Sequence, residues 1–318
     1  MAYSRENMRY AVDTLAERRA HAEAVARKNE AHLHQISAEA RVLDQTLSKT
    51  GLEAFRIAVS GGNVQEKIAN LRRENELLQE KRRALLSSLG LPGDYTKPQY
   101  TCAACHDTGY TENGMMCACM RRLLTEAGFR SSGLGRLIET QNFANFSLQY
   151  YQGEALTCAR RALETAKAFA EDFEKNGANL LLMGGTGLGK THLSTAIARR
   201  AIERGYDVVY ETAQNIIADF EYDRFKSGYG TEEARSDRYF DADLLIMDDL
   251  GAELTNQFTV SSLYNILNTR INGGKSVIIS TNLGQKSLME RYDERITSRL
   301  FGEFYPLVFR GVDVRSQK

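Results

Sequence analysis

Residues 179–191 read Asn-Leu-Leu-Leu-Met-Gly-Gly-Thr-Gly-Leu-Gly-Lys-Thr, an apolar run, a glycine-rich loop, then a lysine and a hydroxyl. This is G-x-x-x-x-G-K-[ST] set between a strand and a helix, and the chemistry it serves is binding of a nucleotide's phosphates. Gly184, Gly185, Thr186, Gly187, Leu188 and Gly189 form the cradle. Such a loop must turn its N–H groups inward and let phosphate oxygens reach the backbone without a Cβ in the way. The helix that opens at Lys190 adds its positive N-terminal end. Lys190 is placed to neutralise the β and γ oxygens, and the Thr191 hydroxyl to ligate Mg²⁺.

A phosphate loop of this kind needs a carboxylate at the end of a neighbouring strand, and Leu244-Leu245-Ile246-Met247-Asp248-Asp249 supplies two. Asp248 is expected to hold Mg²⁺ through its water shell. Asp249 is then placed to polarise the attacking water, as a general base or as a water-orienting group. The apolar run at 276–280 leads into Thr281-Asn282. The Asn282 amide, beside the γ-phosphate, can donate to phosphate and accept from water. No Asn-Lys-x-Asp guanine-reading motif occurs, so ATP is expected rather than GTP.

Four of the five cysteines fall between residues 102 and 119. In a reducing compartment such clustering favours a metal over disulfides. Cys102-x-x-Cys105 and Cys117-x-Cys119 offer four thiolates, enough to close a tetrahedral structural Zn²⁺ site, although His106 could replace one of them. Cys158 stands apart and reads as a small packing residue.

Positioning these groups requires strands with helices between them. Strands are expected at 180–183, 208–210, 244–247, 277–280 and 305–309, with helices from Lys190, from Ala213, around 261–271 and around 288–300. That alternation gives an α/β fold, a five-stranded, mostly parallel sheet covered on both faces. Upstream, heptad core positions from Met8 to Leu47 are apolar except at Arg19 and Asn29, and a second series runs from Val64 to Leu89 after the breaker Ser60-Gly61-Gly62-Asn63. An α-helical coiled-coil hairpin ending before Pro92 is expected. Folding back about 48–63 would bring Asn29 near Arg82. The domain reading is a helical coiled-coil region at 1–92, a zinc-binding module at 93–135 and the nucleotide-binding domain at 136–318.

Composition narrows the partners. Lys plus Arg and Asp plus Glu are each 41, so net charge exerts no general pull toward nucleic acid or acidic membranes. The N-terminus MAYSRENMRY is polar, and no apolar run approaches the roughly 18 residues of a membrane span. A cytoplasmic chain with no membrane partner is expected.

Residues 140–318 resemble the AAA+ branch that holds the bacterial replicative helicase loaders of the DnaC and DnaI type and the related IstB transposition helper ATPases. The resemblance rests on GGTGLGKTHL at 184–193, DLLIMDDLG at 243–251, ISTN at 279–282, RITSRLFGE at 295–303 and FRGVDVR at 309–315. It implies a P-loop AAA+ ATPase core that forms a homo-oligomer in the ATP state. Arg299 is implied as an arginine finger reaching the neighbouring subunit's nucleotide, with Arg295, one turn away, as the competing choice. Arg315 is a candidate further phosphate sensor, and no C-terminal helical lid is expected after it. YTCAACHDTG at 100–109, followed by Cys117-Ala118-Cys119, resembles loader-like ATPases of Gram-positive bacteria and their phages.

The stretch from Phe220 to Tyr229 interleaves aromatics with basic residues, and Arg235 and Arg238 follow. Rings and cations suit single-stranded DNA, although Glu221, Asp223, Glu232, Glu233 and Asp237 dilute the patch. The expected function is an ATP-dependent loader that binds a replicative DnaB-type helicase and delivers it to single-stranded DNA. The alternatives are an IstB-like transposition helper and a nucleotide-regulated scaffold with little turnover. Asp249 and Asn282 argue against the scaffold, since binding alone does not need them.

Overall fold

The computed structural model describes residues 3–60, 64–173, 178–226 and 234–317. The Gly61–Asn63 part of the expected breaker, and Ser227–Tyr229, Glu232 and Glu233 of the expected DNA-contacting stretch, lie outside them. The chain divides into two compact units, Val12–Cys119 and Met1–Ala11 with Met120–Lys318.

The heptad pattern folds as helices α1 (Arg5–Ile36), which belongs to the Val12–Cys119 unit from Val12 on, α2 (Ala38–Ser60) and α3 (Val64–Ser88), with α3 returning antiparallel along α2. The first heptad series is broken at Ser37, whose Oγ accepts the Ala40 N–H and caps α2. Asn29 and Arg82 do not meet. Asn29 donates to the Tyr95 carbonyl at 2.8 Å, while Arg82 bonds Asp44 at 2.5 Å and Thr96 at 2.8 Å. A carboxylate is the stronger partner for a guanidinium than an amide, and the break at Ser37 brings one onto α2. Leu33, Ala40 and Leu86 close a small core.

In the other unit the period-two side-chain alternation of strands decides the layers. Strands β1 (Asn179–Met183), β2 (Val208–Thr212), β3 (Leu244–Leu250), β4 (Ser276–Thr281) and β5 (Phe304–Val308) pair in parallel in the order β2-β3-β4-β1-β5. Before the sheet come α4 (Ala118–Ser131), α5 (Leu137–Thr140) and α6 (Gly153–Glu171); the sequence reading gives no element for α6. After β1 come α7 (Lys190–Glu203), α8 (Ala213–Lys226), α9 (Asp237–Asp241) and α10 (Gln257–Asn272). Leu180, Leu182, Ile246 and Ile278 pack with α6 and α7 on one face; Leu181, Met247, Val277 and Ile279 pack with α8 and α10 on the other. Each such side chain stabilises the fold by roughly 1.5–3 kcal/mol.

The single helix expected around 288–300 is two, α11 (Gln285–Arg291) and α12 (Glu294–Gly302). Tyr292 and Asp293 between them are extended, and the Asp293 carboxylate accepts the Ile296 N–H at 3.0 Å to start α12. Arg270 on α10 is 1% exposed and donates to the carbonyls of Tyr239, Ala242, Asp243 and Ser276. Burial lowers its pKa to about 10, opposed by Asp243. This guanidinium ties the entry of β3 to β4. Among the described residues, no helix is long and apolar enough to cross a membrane.

Candidate nucleotide site

β1 delivers its carboxyl end to the phosphate loop. Gly184 has φ +151 and donates its N–H to the Thr281 carbonyl; a Cβ there would stand 2.4 Å from the Phe309 carbonyl oxygen. Gly189, left-handed at φ +90, forms the N-cap of α7 and would bring a Cβ to 2.8 Å from both the Phe146 ring and the Tyr151 hydroxyl. Among the described residues no side chain caps α7, which leaves its first N–H groups and the helix's positive end to the loop.

The sequence-predicted residues of three separate strand ends converge on this loop. The Lys190 ammonium donates to Gly184 O at 2.6 Å, Gly185 O at 2.7 Å and Asn282 Oδ1 at 2.8 Å. Burial pushes its pKa down, the charges of Asp248 and Asp249 oppose that, and Arg315 adds to it. Asn282 turns its amide nitrogen to Asp249 Oδ1 at 2.7 Å and so bridges lysine and carboxylate. Asp249 sits at φ +57 beside a register shift between β3 and β4, its N–H on Ser280 Oγ at 3.0 Å. A left-handed aspartate is uncommon but tolerated, and it aims the carboxylate off the strand.

Asp248 stays in register with Thr212 of β2. Thr191 donates to its Oδ2 from 3.4 Å, Tyr210 donates to the same oxygen, and Ser280 donates to Oδ1. Burial and the adjacent Asp248 charge hold the Tyr210 phenol far above its ordinary range, so it stays a donor.

A cavity of about 470 Å³ opens from Gly187–Thr191 and Asp248 toward Leu137, Gln141, Phe146, Tyr150, Tyr151 and His192. That volume suits a nucleotide-sized ligand. Phe146 stacks on Tyr151 at 6.0 Å and meets His192 edge-on at 5.3 Å, so an aromatic group packed against Gly189 forms one wall of the cavity. Sequence reasoning finds only an aromatic lead-in at 140–151 and misses Phe146, Tyr151 and Tyr210 as site residues.

Arg315 lines this cavity. It is placed there because the Val314 N–H donates to Gly187 O at 3.0 Å, drawing the segment after β5 across the loop. Arg299 and Arg295, both on α12, do not line it. Arg299 donates to Asn268 at 2.5 Å; Arg295 pairs with Asp293 and lies 5.2 Å over the Tyr264 ring.

The expected DNA-contacting stretch is divided. Phe220 packs inward against Tyr239 and Phe240, and Arg238 is tied to Asp219. Phe225 is 86% exposed, and the Arg235 guanidinium covers the Tyr222 ring at 3.7 Å.

In the Val12–Cys119 unit the sulfurs of Cys102, Cys105, Cys117 and Cys119 lie within 4.8 Å of one another, and His106 is not in the group. The Cys102–Cys117 and Cys105–Cys119 pairs are 3.8 and 3.3 Å apart. Sulfurs 2.3 Å from a tetrahedral centre stand about 3.8 Å apart, so the donor set fits a metal ion. The Cys105 N–H brings the Cys102 thiol down to about 7, whereas burial and the neighbouring thiols push Cys119 far up. Four such sulfurs can all ionise only around a cation. The Asp107 carboxylate shapes the loop by accepting from the N–H groups of Thr101 and Cys102.

The family model described as IstB-like ATP binding protein matches residues 134–300. The replicative helicase loader DnaC of Escherichia coli (strain K12) is 24% identical over 198 residues, 62% of this chain and 78% of that protein. Phage-like element PBSX protein XkdC of Bacillus subtilis (strain 168) is 28% identical over 244 residues, 70% of this chain and 86% of that protein. Among solved structures, that of the DnaC helicase loader aligns at TM-score 0.48 and 23% identity, covering 55% of this chain and 99% of that one. AMPPCP-bound DnaA from Aquifex aeolicus aligns at TM-score 0.45 and 28% identity over 54% of this chain and 50% of its own.

Proposed function

The chain belongs to the family of IstB-like ATP binding proteins, and from that premise we propose that it is an ATP-dependent loader, binding a replicative DnaB-type helicase and delivering it to single-stranded DNA. The observation that carries the ATPase part is the convergence of Lys190, Thr191, Asp248, Asp249 and Asn282 on one loop. Similarity to the helicase loader DnaC over 62% of the chain supports the client.

In this reading the chain's own groups divide the work. The Gly184–Thr191 backbone and the α7 N-terminus bind the phosphates, and Lys190 leaves the loop carbonyls for the β and γ oxygens. Thr191 and Asp248 hold Mg²⁺, which when bound neutralises charge developing on the phosphates. Asp249, aimed off its strand, orients or deprotonates the attacking water, and Asn282 couples that carboxylate to the γ-phosphate end. Arg299 acts in trans on a neighbouring subunit's nucleotide, which makes the ATP state a homo-oligomer, and Arg315 contacts phosphate in cis. Phe225 and its neighbours stack on single-stranded DNA. ATP binding assembles the oligomer on its client, hydrolysis releases it, and the activity belongs to the cytoplasm.

The four cysteines hold a structural Zn²⁺, and the N-terminal helices with that module hold the helicase. Metal analysis of the purified chain should find about one zinc, and Cys117→Ser should lower both zinc content and Tm. A metal-free chain with an unchanged Tm contradicts the zinc assignment.

The family model favours a second client, a transposase served in the IstB manner. Mixing the purified chain with its host's replicative helicase and ATP should give a complex on size exclusion and helicase transfer to circular single-stranded DNA. No complex with the helicase, together with a stable complex with a transposase, rules out the loader reading.

A further inference from the structure

Three hydroxyls hold the two oxygens of Asp248, and only two of them belong to elements already assigned to the nucleotide. Thr191 follows the phosphate loop, and Ser280 lies on β4, the strand that leads into Asn282. The third, Tyr210, comes from β2, which borders β3 alone in the sheet.

The position of this tyrosine is fixed from both sides. Its backbone is in register with Ile246 on β3, and its N–H, on the open edge of β2, donates to Ser132 O at 2.7 Å. Gly133, left-handed at φ +81, lies so close that a Cβ would stand 2.4 Å from the Tyr210 carbonyl oxygen. The ring is 9% exposed and packs into the core face shared with Leu244 and Ile246, where phenylalanine would fill the same space. Tyr210 lines the same cavity as Lys190, Thr191 and Asp248, and its hydroxyl donates to Asp248 there.

We infer that Tyr210 is a positioning residue for the metal, holding the Asp248 carboxylate in the orientation that binds Mg²⁺ when Thr191 turns its own oxygen to the ion. This rests on the Mg²⁺–ATP reading of the site. A carboxylate fixed by outer-shell donors binds its metal more tightly than one that must be ordered on binding, and loss of such a donor typically costs 10–100-fold in metal affinity. Tyr210 also ties the residues after α4 to the metal carboxylate through one side chain and one backbone bond.

The test is Tyr210→Phe, read by equilibrium binding of a fluorescent ATP analogue across a Mg²⁺ titration. The Mg²⁺ midpoint should rise about tenfold, while affinity for the analogue without Mg²⁺, and Tm, stay near wild type. A midpoint that is unchanged or lowered, or a fall in Tm with no midpoint shift, overturns the inference and leaves the site reading intact. A wild-type chain whose nucleotide binding ignores Mg²⁺ overturns both.

Discussion

Asp249→Asn should bind ATP as tightly as the wild-type chain and release phosphate at least about 100-fold more slowly, the usual scale for removing a positioned general base. The substitution keeps the volume and leaves an oxygen for the Asn282 amide, which now bonds Asp249 at 2.7 Å. It also keeps the left-handed backbone at φ +57, since asparagine tolerates that region at least as well as aspartate. Only the charge and basicity are lost. Equilibrium binding and single-turnover hydrolysis separate the two effects. Turnover equal to wild type would remove Asp249 from the chemistry.

Lys190→Ala should fail earlier, at binding. Lys190 is 7% exposed and burial already pushes its pKa down, so its exchange of loop carbonyls for phosphate oxygens needs little new burial. Charge-assisted hydrogen bonds contribute about 1.5–3 kcal/mol each. Two lost to the β and γ oxygens weaken ATP binding by at least about 100-fold. The fold should persist, because Gly184 is half-buried and Gly185 exposed, so water can take the place of the ammonium at their carbonyls. Calorimetric titration showing wild-type affinity for ATP in a folded Lys190→Ala chain would contradict the assignment.

What the sequence discloses about this site follows from how local each part is. Lys190 and Thr191 are legible because one continuous stretch of strand, loop and helix determines them, and Asp248-Asp249 because a four-residue apolar run must end at the sheet's carboxyl edge. Asn282 is legible by the same rule applied to β4. Tyr210 is hidden, since its approach to Asp248 depends on β2 lying beside β3 and on the pitch of the sheet between them. The ring pair Phe146 and Tyr151 is hidden for a related reason. These residues lie about 40 positions before Gly189, and their place against it is set by tertiary packing.

The helices show the same limit. Heptad spacing captures α1 to α3 but not the stop at Ser37, where one hydroxyl cap outweighs an unbroken apolar series. Asn29 and Arg82 could be recognised as polar interruptions, but their partners come from the turn at Tyr95–Thr96 and from Asp44. Apolar content likewise indicates a helix around 288–300, whereas Asp293 divides it by capping Ile296. That division places Arg299 on its own short helix, held by Asn268.

If the proposed function holds, the Lys190, Asp249 and Asn282 constellation turns ATP over rather than merely sensing it. Phosphate release by the purified chain, with Mg²⁺ and single-stranded DNA and at concentrations that allow self-association, tests this most directly. Steady release that needs Mg²⁺ and falls to background in Asp249→Asn is the expected result. Tight ATP binding with release no faster than that variant's would contradict it and leave a nucleotide-regulated scaffold.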